Sequence, residues 1–262
     1  MITARDIAAA LRGLGVGAGD VLFVHSDVRA CLRVAGDTRD QKLDTICSGL
    51  EATVARGTLL LPTFTYSFCH ELAFDRRQSP STVGLLSEVF RRRPGVRRTA
   101  DPLFSCAVRG PLPAPWEERL MQPADTDAFG SESVFAYLLE ADAKLAFIGL
   151  DVFWATLVHH VEQRERVPYR YFKDFHGEIV DGDERRASTA RYYVRRLDGD
   201  FENHFPPLAE ALHAAGLVAE TRLPRGPELR VVGARDFAAF ATAKLRQDPE
   251  FLLERRHRER VA

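Results

Sequence analysis

The stretch from Ala146 to Pro168, AFIGLDVFWATLVHHVEQRERVP, constrains the fold most, because a short apolar run passes directly into a polar helical segment. The apolar run is interrupted by Gly149 and is too short for a buried helix, so it predicts a buried strand. Thr156 is the predicted start of the helix that follows. His159 and Glu162 are three residues apart on that helix, so their side chains project from one face and can meet a ligand at the strand end.

Other interpretations of this segment stay open. Glu162 and Arg166 also have the spacing of an ordinary surface ion pair, and a helical histidine more often fills a surface or core position than performs chemistry. The segment HHVEQ lacks the second histidine of the HExxH and HxxEH zinc motifs. The four cysteines are scattered and add no ligand pair, so no metal is expected.

Composition and charge limit the class of protein. The chain has 262 residues, of which 45% are hydrophobic and 28% charged, as in an ordinary globular protein able to bury a full core. The formal net charge of −1 argues against a nucleic-acid partner, which requires an excess of Lys and Arg. We therefore expect a small-molecule partner, and the sequence is compatible with a homo-oligomer.

Cysteine spacing and the N-terminus indicate the cellular setting. There is no CxxC pair, and the N-terminal segment MITARDIAAALRGLG carries Asp6 and predicts an amphipathic helix rather than a signal peptide. No apolar run approaches the roughly 20 residues that span a bilayer. A cytoplasmic protein without a membrane partner is expected.

Helix and strand patterns alternate along the chain and predict an α/β fold. Strands are predicted in GDVLFVHSD, TLLLPTFTYSF and ADPLFSCAVRG, with amphipathic helices before and between them. Open α/β sheets bind ligands where strands end, which draws attention to His25 and Ser26. Gly130 and Ser131 precede a further helix, whose free N–H groups could hold an anion, although a serine there is also typical of a simple cap.

Two charged segments are less specific. Five arginines between Arg91 and Arg98 could bind phosphate or could face water at a helix end. Residues 168–203 are aromatic, charged and rich in turns, and they predict a hairpin around Asp181 and Gly182 on the substrate side. From Arg164 to Asp200, nine basic residues balance eight acidic ones. Such a surface fits a neutral or phosphate-bearing acceptor, or it simply faces water.

With these segments in order, the chain resembles the aminoglycoside 3-N-acetyltransferase family, also called the antibiotic N-acetyltransferases. The resemblance covers most of residues 1–165 and is carried by five motifs: VHSD at Val24–Asp27, RGTLLLPTFT at Arg56–Thr65, ADPLFSCAVRG at Ala100–Gly110, FGSES at Phe129–Ser133, and LAFIGLD with TxxHxxE at Leu145–Glu162. It implies a single α/β domain over residues 1–262, with a mixed sheet and flanking helices, unlike the common GNAT-type acetyltransferase fold.

The resemblance also implies an enzyme that moves an acetyl group from acetyl-CoA to a primary amine of an amino sugar. The cofactor-binding residues it implies are His25, Ser26, Ser105, Phe129, Gly130 and Ser131. The catalytic residues it implies are Thr156, His159 and Glu162. The sequence departs from the family pattern after Glu162. The same chemistry on a nucleotide-linked amino sugar or other small amine therefore stays open, as do a non-catalytic acyl-CoA binder and a thioester hydrolase.

Histidine suits this reaction because an ammonium group is not a nucleophile and must lose a proton near neutral pH. Glu162, or another carboxylate such as Asp198, would orient the ring and stabilise the imidazolium. Cys106 has no adjacent base in sequence, so we expect direct transfer without an acyl-enzyme.

Overall fold

The computed structural model describes residues 1–31, 33–122 and 124–255. Within them the chain forms eight α-helices: α1 (Ala4–Gly13), α2 (Arg39–Thr53), α3 (Leu85–Arg91), α4 (Ala114–Met121), α5 (Val134–Glu140), α6 (Val158–Glu165), α7 (Pro206–Ala214) and α8 (Ala234–Gln247). The strands are β1 (Val21–Ser26), β2 (Thr58–Pro62), β3 (Phe74–Asp75), β4 (Arg97–Arg98), β5 (Cys106–Arg109), β6 (Thr126–Asp127), β7 (Lys144–Ile148), β8 (Arg170–Asp181), β9 (Glu184–Arg195), β10 (Phe201–Asn203), β11 (Ala219–Arg222), β12 (Glu228–Gly233) and β13 (Leu253–Arg255).

The main sheet is mixed and has the strand order β11-β12-β7-β1-β2-β5-β4. Its three central strands, β7, β1 and β2, are parallel, and the strands outside them pair antiparallel. Helices α1, α2 and α3 pack on one face, and α5, α6 and α8 pack on the other. The α/β class with a mixed sheet and flanking helices is confirmed.

Side chains of the central strands alternate between two cores, which explains why these strands are apolar throughout. In β1, Leu22 and Val24 enter the core under α1, α2 and α3, whereas Phe23 enters the core on the opposite face. His25 lies two residues after Phe23 and therefore shares its face. Its ring stacks on Phe147 of β7, with centroids 5.1 Å apart and an interplanar angle of 8°. The sheet thus fixes His25 at the carboxyl ends of the parallel strands.

Local sequence signals set several element ends, and two of the predicted ends are wrong. The predicted helix start at Thr156 is two residues early, because a 3₁₀ turn over Val152–Trp154 intervenes and α6 begins at Val158. The segment ADPLFSCAVRG becomes a strand only from Cys106, because the Asp101 carboxylate accepts backbone hydrogen bonds that turn the chain. The spacing of His159 and Glu162 within α6 is unaffected.

The predicted hairpin is present. Strands β8 and β9 pair antiparallel over twelve residues each, and Gly182 takes a φ of +67° in the tight turn between them. With β3 and β6 they form a four-stranded sheet, while β10 and β13 form a separate pair. In the described part of the chain, no helix combines the length and apolarity needed to cross a bilayer.

Candidate active site

A histidine and a buried carboxylate face each other on α6. The Nδ1 atom of His159 lies 2.6 Å from Oε2 of Glu162, a residue with 0% exposure. Arg170, at the start of β8, lies with Nη2 2.9 Å from the same oxygen, and the Tyr169 hydroxyl donates to Oε1 at 2.8 Å. Glu162, rather than Asp198, is therefore the carboxylate that orients His159.

These contacts determine the tautomer of His159. An ionised carboxylate only accepts hydrogen bonds, so Nδ1 of His159 must carry the proton that it donates to Glu162. The Nη2 atom of Arg170, 3.1 Å from Nδ1, is then a neighbouring cation rather than a hydrogen-bond donor to it. The lone pair of neutral His159 is left on Nε2, which has no hydrogen-bond partner among the described residues.

The pKa values support this protonation state. Burial lowers the pKa of His159, and the charge of Arg170 lowers it further, while Glu162 opposes both. Burial alone would raise the pKa of Glu162, but Arg170, His159 and the Tyr169 hydroxyl together hold it below its ordinary value. The pair is therefore a carboxylate and a neutral imidazole near pH 7.

His25 and Thr156 form a second pair across the sheet edge. The Nε2 atom of His25 lies 3.2 Å from Thr156 Oγ1 and accepts the Thr156 backbone N–H at 3.4 Å. Burial lowers the pKa of His25 to about 3, so the ring is neutral. Its Nδ1 atom is buried without a partner among the described residues. These bonds hold the turn that leads into α6.

A cavity of about 880 Å³ opens in front of His159. Its walls come from the ends of β1 and β2, the turn before α6, the hairpin and the segment before α7. Its lining includes His25, Ser26, Asp27, Tyr66, Phe104, Trp154, Thr156, His159, Tyr192 and Phe205. This size suits a small organic ligand.

Aromatic contacts hold the His159 ring. Phe129 and Phe205 meet it edge to face, with centroid distances of 5.4 and 5.8 Å. The neighbouring His160 points elsewhere, since its Nδ1 lies 2.8 Å from the Phe129 carbonyl oxygen in the core. His160 therefore supports Phe129, and His159 alone of the two lines the cavity.

The residues expected to bind the cofactor are not all brought together. His25 and Ser26 line the cavity in front of His159, and Phe129 contacts the His159 ring. The expectation for Ser105 requires correction, because this residue has 0% exposure. Its hydroxyl donates to the Thr63 carbonyl at 2.8 Å and accepts from Arg98 Nε at 3.0 Å. It has no surface left to offer a ligand.

The expected anion site at Gly130 and Ser131 stays a prediction. The Gly130 N–H donates to the Asp127 carbonyl, and a Cβ on Gly130 would lie 2.7 Å from the Asp127 carboxylate, which would repel an anion. Ser133 caps α5 through its hydroxyl. Ser131 lines a different cavity, whose walls also carry Asp127.

The groups that support the pair are not evident from the sequence. Arg170 has the appearance of one more charge of the hairpin region, yet it is 4% exposed and bonded to Glu162. Tyr169 lies in no recognisable sequence motif. The available signal is weak: an arginine between two tyrosines directly after the end of a helix.

The Cys106 thiol does not compete with His159 as a reactive group. Cys106 is fully buried, and burial raises the pKa of its thiol far above the ordinary value, so the thiolate is unavailable. In the ranges the structure covers, no three His, Cys, Asp or Glu side chains are arranged to hold a metal ion. A neutral imidazole held by a buried carboxylate and facing an open cavity suits an enzyme that takes a proton from a nucleophile during group transfer.

Comparison with known proteins identifies the family. The sequence matches the aminoglycoside 3-N-acetyltransferase family over residues 23–246. Aminoglycoside N(3)-acetyltransferase IV of Salmonella sp is 31% identical over 166 residues, which cover 63% of this chain and 60% of that protein, less than two thirds of its length. Aminoglycoside N(3)-acetyltransferase VII of Streptomyces paromomycinus is 27% identical over 228 residues, covering 77% of this chain and 74% of that protein. The chain belongs to the aminoglycoside 3-N-acetyltransferase family.

Solved structures share the fold. AAC-IIIb in a binary complex with CoASH has a TM-score of 0.78 at 23% identity, covering 94% of this chain and 96% of that chain. A histidine-to-alanine mutant of AAC(3)-IVa in complex with a gentamicin has a TM-score of 0.76 at 25% identity, covering 95% of this chain and 90% of that chain. The recognised family and its particular α/β fold are confirmed.

Proposed function

We propose that this protein transfers the acetyl group of acetyl-CoA to a primary amine of an amino sugar, as an aminoglycoside 3-N-acetyltransferase. One observation carries the proposal: the 2.6 Å contact between His159 Nδ1 and Glu162, which leaves Nε2 as the base facing the cavity. Family membership supports the donor and the acceptor class. Use of acetyl-CoA fits the cytoplasmic setting expected from the sequence.

The proposed step is direct transfer. Nε2 of His159 removes a proton from the acceptor amine as its nitrogen attacks the thioester carbonyl carbon. The new C–N bond replaces the C–S bond, CoA leaves as the thiolate, and the imidazolium returns the proton to it. Glu162 stabilises the imidazolium during this step, and Arg170 keeps Glu162 ionised. General-base assistance of this kind contributes roughly 10²–10⁴ in rate.

We assign Thr156 and His25 to positioning. Their contacts at 3.2 and 3.4 Å fix the turn before α6, two residues before the helix begins. That turn sets where the His159 ring stands relative to the thioester. Ser26, at the end of β1, lies on the same cavity wall and is the remaining candidate for contact with the cofactor.

An acyl-enzyme on Cys106 is disfavoured by burial of its thiol. The sulfur atom lies 3.7 Å from the Phe104 carbonyl oxygen and has no base beside it among the described residues. A burst of CoA release before acceptor is added, lost in Cys106→Ser, would contradict direct transfer.

The charge of the cavity bears on which amino sugar fits. Aminoglycosides are polycations, and carboxylates attract them. Among the described residues of the lining, Asp27 is the one carboxylate, and Arg29 pairs with it at 2.8 Å. The hairpin charges are also partly paired, as in the contact of Arg191 with Asp174. This lining supports testing less cationic amino sugars, including nucleotide-linked ones, beside aminoglycosides.

The test is free-thiol release from acetyl-CoA with a panel of these acceptors. We expect release only when an amine is present, and a fall in kcat of about 10²-fold or more in His159→Ala with acetyl-CoA binding retained. The matched control is His176→Ala, which removes an exposed histidine of β8 and should keep full activity. Release without amine would indicate a hydrolase, binding without release would indicate a binder, and a loss below tenfold would remove His159 from the mechanism.

A further inference from the structure

A second cavity, about 570 Å³ in volume, is lined mainly by arginines. Six of its nine lining residues are arginines: Arg76, Arg77, Arg91, Arg92, Arg97 and Arg98. It shares no lining residue with the cavity in front of His159. The last four of these arginines belong to the basic segment noted in the sequence.

The arginines converge from separate parts of the fold. Arg91 and Arg92 stand at the carboxyl end of α3, where cations also favour the helix dipole. That effect does not account for Arg76, which follows β3, or Arg98, which lies in β4. The tip of the hairpin closes the group, since the Arg76 backbone N–H donates to the Val180 carbonyl at 3.0 Å.

Carboxylates do not balance these cations. In the described residues the group has three acidic partners. Asp181 pairs with Arg76 and Arg77, Glu88 pairs with Arg91 and Arg92, and Glu117 pairs with Arg97. Six guanidinium groups thus share three carboxylates. Clustered like charges of this kind are costly unless an anion joins them.

Arg98 is the member without a carboxylate partner in the described chain, and it is buried. It is 6% exposed and has no carboxylate partner in the described chain. Its guanidinium donates to Ser105 Oγ at 3.0 Å and to the carbonyls of Ser79 and Thr63 at 2.5 Å. These contacts use three of its five N–H groups. Burial lowers the pKa of Arg98 to about 10, and the nearby charge of Arg91 contributes to this. No paired carboxylate in the described chain offsets the effect.

A buried N–H donor without an acceptor in the described chain lies beside Arg98, on Arg76. The Nε atom of Arg76 is buried without a hydrogen-bond partner among the described residues, while its Nη2 donates to the Arg98 carbonyl at 2.6 Å. Arg76 and Arg91 are also deep, with side chains 14% and 4% exposed. Arg77 and Arg92 stand at the rim, 69% and 66% exposed. The cavity therefore has a cationic floor and two exposed arginines at its rim.

From these observations we propose that the arginine cavity is a binding site for a phosphate group, outside the cavity in front of His159. Guanidinium groups bind phosphate oxygens through charge-assisted, often bidentate hydrogen bonds. A phosphate dianion would offset most of the surplus positive charge and offer acceptors to the free N–H groups. The group could belong to free inorganic phosphate or to a phosphorylated metabolite such as CoA itself.

The test uses sodium phosphate as the probe on the whole protein. Phosphate should raise the melting temperature by about 3 °C or more over sodium chloride at equal ionic strength, because a ligand that binds only the native state stabilises it. Titration calorimetry should give a saturable isotherm. The double variant Arg77→Gln/Arg92→Gln changes only rim residues, so it should fold and should bind phosphate at least about tenfold more weakly.

Arg246→Gln is the matched control, since Arg246 is 70% exposed and paired with Glu165 outside the cavity. It should leave phosphate binding unchanged. Competition between phosphate and CoA, with CoA binding weakened in the double variant but 3′-dephospho-CoA unaffected, would show that CoA supplies the group. Phosphate binding independent of CoA would show a free anion or another metabolite. Equal effects of phosphate and chloride, or unchanged phosphate binding in the double variant, would overturn the proposal.

Discussion

Replacing Arg170 by glutamine should move the pH dependence of the enzyme to higher pH. The Arg170 guanidinium stands 3.1 Å from His159 Nδ1, and its positive charge helps to keep the pKa of that histidine low. With charge centres about 4 to 5 Å apart and an effective dielectric constant near 20, the interaction is roughly 3–4 kcal/mol. At 1.36 kcal/mol per pKa unit this is about 2–3 units, an upper bound because water would enter the vacated space.

We therefore expect the pKa of His159 to rise in Arg170→Gln, by no more than this bound. The imidazole must be neutral to accept a proton, so activity is lost as the pH falls through this pKa. The acid limb of the kcat/KM profile should move upward by the same amount, and at pH values below both pKa values activity should fall about tenfold for each unit of that rise. Initial rates from pH 5.5 to 9.5, with both substrates varied, measure the limb.

Stability provides an independent readout for the same variant. Glu162 would remain buried after losing its strongest partner, which typically costs 3–5 kcal/mol, or a drop of about 10 °C in melting temperature. Assays should therefore run well below that temperature. The matched control is Arg170→Lys, which keeps the charge but loses the planar geometry, so the acid limb should stay near its wild-type position. An acid limb that does not move in folded Arg170→Gln would refute the electrostatic reasoning.

Three further outcomes are expected. Tyr169→Phe removes the hydroxyl that donates to Glu162 and should lower the free energy of unfolding, measured in urea, by about 1–3 kcal/mol. The loss of kcat should be smaller than in His159→Ala, and an equally large loss would contradict a supporting role. Because the pKa of His25 is lowered to about 3 in the fold, the unfolded chain binds more protons than the folded chain below pH 6.5. The free energy of unfolding should therefore fall as the pH falls, at a slope of up to about 1.4 kcal/mol per pH unit. His25→Gln should flatten this slope, and an unchanged slope would count against a neutral buried ring. Gly177→Ala places a Cβ 2.6 Å from the Phe68 ring and should lower the melting temperature, which thermal unfolding can check against Gly13→Ala, where a Cβ meets no atom within 4 Å.

The sequence is most informative where one element carries the whole signal. His159 and Glu162 lie on a single helix, so their spacing alone places both side chains on one face. The hairpin is predictable for a similar reason, because its strands are adjacent in the chain and joined by a glycine turn. Contacts between residues of one helix or one hairpin can be predicted without knowing the tertiary fold.

The sequence is least informative where distant segments meet. Helix α6 ends at Glu165, and Arg166 follows it in the left-handed conformation, with a φ of +55°. The chain then turns back, so that Tyr169 and Arg170 reach Glu162. Periodicity cannot show such a reversal. For Ser105 the sequence does not show which way the side chain points. Phe104 lines the cavity, whereas the Ser105 hydroxyl contacts Arg98. A motif match identifies both residues but does not distinguish their faces.

The cavity in front of His159 is built from two kinds of segment, and this division has an evolutionary consequence. His159 and Glu162 lie on α6 and His25 lies at the end of a parallel strand, where register and burial hold them in place. Trp154, Tyr192 and Phe205 approach from a short turn, the hairpin and the segment before α7. Mutations in these outer segments can alter which molecules are admitted without disturbing proton transfer. Under the proposed mechanism, substitutions in these outer segments change the acceptor while His159 and Glu162 keep their geometry.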